Sequence, residues 1–240
     1  MDENTLHGQL TVGQAWLNET QHLNNGLDLV PLPRGEETRN VRHAFDAALG
    51  AIHYAGPCSR VGRCMRLLIV DHRKWVGGIV LGSTFPNIGV RDEALGLKAY
   101  VRDHQLRGLR SPWARENTDY WNRLQRIVNH ARTFIFPASQ GQGLGIRAHH
   151  LLIDQGKRHW ERRYGEPVGA FDTLCDAADS GLFRRNGWAW VGRTAGFESN
   201  PEKTLVAVSD RKDLTNNVAL RQGTRSWEVW VRIVNRSILS

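Results

Sequence analysis

Apolar residues recur every three or four positions in three stretches of the chain, which is the spacing of one helical face. The first stretch, residues 40–54, predicts a helix that ends before Gly56-Pro57. Residues 118–131 predict a second helix, and residues 146–164 predict a long third helix that closes at Gly165. The apolar face of the second helix comprises Trp121, Leu124, Ile127 and Val128.

Apolar runs and alternations predict the strands. Residues 63–71 and 76–83 are apolar runs on either side of a four-residue turn at 72–75, and this arrangement predicts an antiparallel hairpin. A short helix is predicted over residues 178–188. Further strands are predicted over residues 132–136, 168–177, 189–194, 204–210 and 226–234.

The pattern divides the chain into three parts. Residues 1–36 are weakly periodic and end in a segment with two prolines and a glycine, so we interpret them as an N-terminal arm that is at most partly helical. Residues 37–210 contain most of the predicted elements and form the main domain. Residues 211–240 form a C-terminal extension that ends in a strand.

Composition and charge narrow the classes of protein. Hydrophobic residues make up 40% of the chain and charged residues 23%, which is an ordinary globular composition and excludes wholesale disorder. No apolar run approaches the ~18 residues of a membrane span. The formal net charge is +8, with −4 on residues 1–36 and +12 on the rest. A basic excess of this kind favours an anionic partner, or else a solvated arginine surface.

The N-terminus and the cysteines indicate the compartment. The first residues lack a basic region followed by an apolar stretch, so no signal peptide is predicted. Cys58, Cys64 and Cys175 are an odd number without a CxxC pair, which favours a reducing cytoplasm and no structural zinc. Neighbouring His149 and His150 point in different directions on a helix, so no metal site is predicted there.

The segment Gln140-Gly141-Gln142-Gly143-Leu144-Gly145 lies between a predicted strand and the long helix. Glycines let the backbone approach a ligand, and a helix start presents unpaired N–H groups to an anion. A P-loop would need lysine where Ile146 stands, and a Rossmann loop would need another glycine spacing. The pattern Gln/Arg-x-x-Gly-x-Gly/Ala fits at every fixed position and indicates a pyrophosphate-binding loop. A helix-start turn without a ligand is the alternative.

This loop resembles motif A of the GCN5-related N-acetyltransferase (GNAT) superfamily, whose loop holds the pyrophosphate of coenzyme A. The resemblance implies an α/β (α+β) fold with a mixed, mostly antiparallel sheet that has a splayed centre and flanking helices. It also implies acetyl-CoA or another acyl-CoA as the cofactor. The cofactor contacts that it assigns are Phe136, Ala138, Gln140, Gly141, Gln142, Gly143, Leu144, Gly145, Ile146 and Arg147.

A further resemblance rests on short motifs that follow one another in a fixed order over residues 40–210. These motifs are His53-Tyr54-Ala55-Gly56, residues 62–66, Arg91-Asp92-Glu93, residues 127–132, Arg163-Tyr164-Gly165, residues 172–176 and residues 187–196. They resemble the DruA family of Druantia anti-phage systems and, more distantly, the phage Mom proteins that modify adenine in DNA. The chain departs from the pattern at Phe183, where many acetyltransferases have a tyrosine that protonates the leaving thiolate. It also departs at Gly96-Leu97, where DruA has a tryptophan.

Acylation of an amine needs a base that takes the proton from the attacking nitrogen. Asp172 and Asp176 lie four positions apart on a predicted strand and so share a face, and both resembled families have an acid at Asp176. His53, Tyr54 and Asp92 are further catalytic candidates. The alternatives are carboxylates paired with nearby arginines, an aromatic pair packed on the core, and a solvated ion pair at Asp92.

Basic residues interleaved with an aromatic residue indicate where DNA would bind. The candidates are Arg107, Arg110, Trp113 and Arg115 in one loop, and Arg158 and Arg162 on the long helix. A base inside a duplex has to be flipped out before it can be modified, which would require such contacts. Surface arginines with a buried tryptophan are the alternative.

Three functions remain open on these grounds. The first is modification of a DNA nucleobase by a GNAT-like, acyl-CoA-dependent transferase in phage–host conflict, as Mom-like anti-restriction or DruA-like defence. The second is a non-acylating DNA-binding component of a defence system, which Phe183 favours. The third is an N-acetyltransferase that acts on a small molecule or a protein. The oligomeric state and the modified base are not indicated.

Overall fold

The computed structural model describes residues 3–20, 26–53, 62–86, 88–100, 118–194 and 227–239. The helices in these ranges are α1 (Glu3–Thr20), α2 (Arg39–Ile52), α3 (Gly89–Ala94), α4 (Thr118–Leu124), α5 (Leu144–Leu151), α6 (Lys157–Tyr164) and α7 (Ser180–Arg185). The strands are β1 (Leu27–Pro31), β2 (Cys64–Asp71), β3 (Lys74–Ser83), β4 (Ile127–Ile135), β5 (Ala170–Cys175), β6 (Ala189–Arg193) and β7 (Glu228–Ile233). A π-helical turn (Leu152–Gly156) joins α5 to α6.

The seven strands of the described ranges form one sheet in the order β1-β2-β3-β4-β5-β7-β6. Every neighbouring pair is antiparallel except β4 and β5, which run parallel. Helices α1 and α2 pack on one face of the sheet, called the α2 face below, and α5, α6 and α7 pack on the other, called the α5 face. The predicted α/β fold, with a mixed, mostly antiparallel sheet and flanking helices, is confirmed.

The central parallel pair is joined over only part of its length. Residues 127–129 of β4 pair with residues 170–172 of β5, whereas β4 continues to Ile135 and β5 to Cys175. The two strands therefore part beyond this short ladder. This is the splayed centre that the resemblance to GNAT proteins implies.

The hairpin of β2 and β3 shows why these strands appear as apolar runs. Leu67 and Ile69 are buried on the α5 face, and Leu68 and Val70 are buried on the α2 face. When both faces of a strand are buried, apolar residues do not alternate with polar ones, and the strand appears in the sequence as a continuous apolar run. The predicted hairpin is therefore an inner part of the sheet.

The turn of this hairpin is shorter than the four residues predicted. β2 ends at Asp71 and β3 begins at Lys74, so His72 and Arg73 alone make the turn. Their φ angles of 46° and 66° are those of a type I′ turn, whose twist matches the twist of the strands. Trp75 consequently lies in β3, where it is buried on the α2 face.

The helix predicted over residues 118–131 is wrong beyond Leu124. α4 ends at that residue, and Ile127 and Val128 belong to β4, where both are buried. A short apolar run fits the spacing of a buried strand as well as that of a helix, so periodicity alone does not separate the two.

Residues 1–36 contribute more to the fold than the predicted arm. α1 buries Leu17 completely, and β1 pairs with β2 as an outer strand of the sheet. The side chain of Gln14 ties α1 to the hairpin, because it donates to the carbonyl of Arg73 at 2.7 Å and accepts from the amide of Trp75 at 3.0 Å. The segment is partly helical, as predicted, and it also contains a strand that the sequence did not predict.

The strand predicted near the C-terminus is confirmed as β7, which lies between β5 and β6. The extension therefore supplies an inner strand of the sheet. The strand predicted over residues 204–210 lies outside the described residues. Among the described helices, none is long and apolar enough to cross a membrane.

Gly78 allows two aromatic rings to pack on β3, and we predict that Gly78→Ala destabilises the protein. A Cβ at this position would stand 2.3 Å from Phe45 and 2.7 Å from Phe134. We expect the free energy of unfolding to fall by about 1–3 kcal/mol, as for other overpacked cores. Gly89→Ala is the control, because its Cβ would meet nothing within 4 Å. Equal urea midpoints for the two variants would contradict this prediction.

Candidate active site

A cleft of about 470 Å³ opens where β4 and β5 part. Its walls are residues 130–135 of β4, residues 173–175 of β5 and one side of α7, and Ile52 and His53 at the end of α2 also line it. Gln140, at the start of the glycine loop, lines it as well. The cleft therefore runs from the glycine loop to the centre of the sheet.

The glycine loop presents the start of α5 to this cleft. Gly141 and Gly143 have φ angles of 78° and 69°, in the left-handed region that glycine adopts without strain. Gly143 is the cap of α5; within the described part of the chain no side-chain hydrogen bond caps this helix, and its first turn contains no acid. The N–H groups of residues 144–146 and the positive end of the helix dipole are therefore available to an anion.

The other predicted cofactor contacts are distributed around this loop. Gln140 donates its side-chain amide to the carbonyl of Ile135 at 3.0 Å, and Ala138 is exposed. Arg147 is exposed and forms a loose ion pair with Asp71 at 3.4 Å. The remaining contacts are Gln142, which is exposed, Ile146, which is half-buried, and Leu144, which is buried in the core.

Phe136 does not face the cleft with its side chain. The ring is 4% exposed and packs edge-on against Trp75 and Phe134 in the core of the α2 face. Its amide donates to the carbonyl of Val76 at 2.9 Å. Phe136 follows β4 directly and points to the same face as Phe134, so its ring lies in the core. The motif resemblance could not indicate this orientation.

His53 lies in the cleft as the neutral imidazole. Burial, together with the nearby positive charge of Arg132, lowers the pKa of His53 to about 4. Because His53 is uncharged at pH 7, it can accept a proton but is a weak base. Tyr54, the neighbouring candidate, lies outside the described residues.

Asp172 belongs to a buried polar network on the α2 face. Its Oδ2 accepts from Nη1 of Arg91 at 2.9 Å and from the hydroxyl of Thr84, and its Oδ1 accepts from Nδ2 of Asn129 at 2.7 Å. Asp172 is 1% exposed, and Arg91 is fully buried. Asn129 and Asp172 are the last paired residues of β4 and β5. This carboxylate therefore joins the two strands just before they part, and its side chain is enclosed by donors instead of being open to an acceptor amine.

Asp92 forms the other side of this network. Its Oδ1 accepts from Nε and Nη2 of Arg91 at 2.8 and 2.5 Å, and its Oδ2 accepts from the hydroxyl of Tyr120 at 3.1 Å. Burial raises the pKa of Asp92, although the guanidinium of Arg91 opposes the shift. The solvated ion pair considered for Asp92 is wrong, because the side chain is 1% exposed.

Asp176 does not share the setting of Asp172. It follows the end of β5 and precedes a 3-10 turn (Ala177–Asp179), with a half-buried side chain. Asp172 instead lies inside β5, so the two carboxylates are not neighbours on one strand face. Asp176 remains a predicted catalytic residue.

Six polar residues that line the cleft were not proposed from the sequence, namely His130, Arg132, Thr133, Thr173, Asp179 and Arg185. His130 lay within the predicted second helix, so its position on β4 was not predicted. The polar residues in the middle of a strand with apolar ends were the signal that could have found His130 and Thr133.

An aromatic cluster packs next to the glycine loop and the first turn of α5. The rings of His130 and His149 lie 4.7 Å apart, and those of Phe183 and Trp188 lie 5.2 Å apart. Nδ1 of His149 bonds to the carbonyl of Gly145 at 2.7 Å. Burial lowers the pKa of His149 to about 4, so that it stays neutral. The first turn of α5 thus packs on this aromatic cluster.

The predicted nucleic-acid contacts are only partly described. Arg158 on α6 forms an ion pair with Asp154 at 2.5 Å, and Arg162 is exposed on the same helix. The loop residues Arg107, Arg110, Trp113 and Arg115 lie outside the described residues. Within the ranges that the structure covers, no group of three or more His, Cys, Asp or Glu side chains is arranged to hold a metal ion.

No protein-family model and no curated protein sequence matches the chain. Solved structures of acetyltransferases are similar to it in outline. A spermidine N-acetyltransferase chimera from Vibrio cholerae and hSSAT is 11% identical, with 89% of this chain and 97% of that chain covered and a TM-score of 0.46. Tetrahymena GCN5 is 14% identical, with 87% and 97% covered and a TM-score of 0.43.

A Bacillus subtilis acetyltransferase in complex with CoA is also similar. It is 12% identical, with 87% of this chain and 97% of that chain covered and a TM-score of 0.43. The function proposed below rests on the contacts of this chain's own residues.

Proposed function

We propose that this protein is a GNAT-like transferase that uses acetyl-CoA or another acyl-CoA to acylate an amine. The observation that carries the proposal is the cleft between β4 and β5, which leads to the uncapped start of α5. A helix start without an acid attracts phosphate. A cleft of about 470 Å³ is large enough for the pantetheine arm of an acyl-CoA.

The chain's own groups fit such a cofactor at two places. The N–H groups of residues 144–146 would bind the pyrophosphate, with Gly141 and Gly143 leaving space for it. Beyond Asn129, β4 has no ladder partner on its β5 side within the described chain, so its backbone groups would pair with the amides of the pantetheine arm. When bound, the cofactor would supply an activated acyl group at the centre of the sheet.

The charges around the cleft favour an acceptor that is not a polycation. The charged side chains among its described lining residues are Arg132, Arg185 and Asp179, and His53 is neutral. A polyamine would be repelled by this excess of arginine, whereas an amine carried on a phosphate backbone would be attracted. Together with the net charge of +8, this supports a nucleobase of DNA as the acceptor, in a Mom-like or DruA-like role.

Two other functions are kept because single observations favour them. Some of the positive charge would pair with the cofactor's own phosphates. That part of the charge does not require a nucleic acid, so an amine of a protein or a small molecule is the alternative acceptor. Phe183 carries no proton for a leaving group, which favours a DNA-binding protein that does not acylate.

Isotopically labelled acetyl-CoA and mass spectrometry separate these functions. The protein is incubated with plasmid DNA, with a peptide that has a free α-amine, and with spermidine, beside a Gly143→Asp control. The proposal predicts label on nucleosides with the wild-type protein alone. Label on the peptide or spermidine would contradict the DNA acceptor but leave the transferase standing. Folded protein that binds acetyl-CoA but labels nothing would contradict the transferase.

A further inference from the structure

A β-bulge brings two polar side chains of β4 together. In the pairing of β3 with β4, Leu81 lies opposite His130 and Val80 lies opposite Arg132, so that Ala131 is an extra residue. Residues three apart in a regular strand point to opposite faces, but the extra residue reverses this alternation. His130 and Thr133 therefore share the α5 face.

The two side chains are in direct contact. Nε2 of His130 and Oγ1 of Thr133 lie 2.6 Å apart, and both residues line the cleft. His130 is 3% exposed, whereas Thr133 is half-buried. Thr133 is thus the more accessible of the two residues.

The imidazole of His130 is held in a single place. Its ring lies 4.7 Å from that of His149 and 5.5 Å from that of Phe183. The hydroxyl of Thr173 on β5 donates to the backbone carbonyl of His130 at 2.9 Å, across the point where the strands part. The ring cannot turn away from Thr133 without disturbing this packing.

We infer that Thr133 is the hydrogen-bond donor to the sulfur of the leaving thiolate and that His130 is the positioning residue that orients this hydroxyl. This inference rests on the proposed function. As the amine nitrogen forms its bond to the acyl carbon, the bond from that carbon to sulfur breaks and its electron pair stays on sulfur. Oγ1 donates a hydrogen bond to the sulfur as negative charge develops there, while Nε2 of His130 donates to Oγ1, and the departing thiolate takes its proton from solvent. The proton lost by the amine goes to solvent.

The site supplies what Phe183 lacks. Phe183 lines the same wall of the cleft and has no ionisable hydrogen, while its ring contacts that of His130. A threonine hydroxyl is a poor acid, but when the imidazole donates to its oxygen, its own hydrogen is directed toward the thiolate, and a hydrogen bond to a charged group is a strong one.

Binding of CoA and of desulfo-CoA, which lacks the sulfur, tests this contact without any acceptor. Titration calorimetry is run near neutral pH and at about pH 9, where more of the thiol is ionised. For the wild-type protein we expect the affinity for CoA, relative to that for desulfo-CoA, to rise about tenfold at the higher pH. The hydroxyl of Thr133 then donates to a charged sulfur, and desulfo-CoA has no sulfur that could accept this hydrogen bond. Thr133→Val should remove this gain, and Thr133→Ser should restore it.

The outcomes separate this inference from the proposed function. Thr133→Val with the wild-type ratio of the two affinities would overturn the inference, as would a wild-type protein that binds both ligands equally at both values of pH. A wild-type protein that binds neither ligand would instead overturn the proposed function. A merely structural role of Thr133 would change both affinities together and leave their ratio as it was.

Discussion

Replacement of Asp172 by alanine is expected to lower the free energy of unfolding by about 3–5 kcal/mol, the cost of removing one partner of a buried ion pair. Arg91 is fully buried and would lose one of its two carboxylates, and Thr84 and Asn129 would each lose an acceptor. Because Asn129 and Asp172 end the ladder between β4 and β5, the cleft should lose its fixed width at the same time.

The matched control is Asp92→Asn in the same network. In Asp92→Asn the amide oxygen keeps the contact with Arg91, and the amide nitrogen stays within reach of the hydroxyl of Tyr120. We expect a loss of no more than about 1 kcal/mol, the net value of an ordinary hydrogen bond. Urea unfolding at pH 7 measures both variants. Equal losses in the two variants would contradict the claim that Asp172 stabilises the junction of β4 and β5.

Gly143→Asp is expected to weaken binding of acetyl-CoA by tenfold or more while leaving the protein folded. The new carboxylate would stand at the cap of α5, where it would accept from the N–H groups that the pyrophosphate needs and repel the phosphates. The same cap should support the helix and offset part of the strain of a side chain at a φ of 69°.

Two variants separate charge from strain in this experiment. Gly143→Asn has nearly the same shape but no charge, so it should lose less affinity than Gly143→Asp. Gly165→Asp places the same residue at a φ of 73° at the other end of the helical segment, where a Cβ also meets nothing within 4 Å. Calorimetry should give this variant the affinity of the wild-type protein. A loss of affinity there equal to that of Gly143→Asp would contradict the account of the loop.

Parts of this structure could be predicted because one local signal determines them. α2 follows from an apolar face that includes Phe45 and Leu49, and both are buried as expected. The glycine loop follows from Gly141 and Gly143, whose positive φ angles few other residues adopt. Gly165 ends the long helical segment for the same reason.

The rest depends on contacts between distant residues. Ile127 and Val128 look helical until the sheet on both sides of them is known. The bulge at Ala131, which brings His130 and Thr133 to one face, has no signature in the sequence of β4 alone, because it lies in the pairing with β3.

The buried network was out of reach for a similar reason. Arg91 and Asp172 are 81 positions apart, and only the packing of α3 against the sheet brings them into contact. Two candidates for catalysis, Asp92 and Asp172, thus turned out to be held inside the protein by the same arginine.

Titration calorimetry of the unmodified protein with acetyl-CoA would show whether the cleft and the glycine loop bind this cofactor. We expect one molecule bound for each chain, with binding that weakens in high salt because phosphates contact a positive helix end. Folded protein that gives no heat of binding at millimolar acetyl-CoA would contradict this expectation.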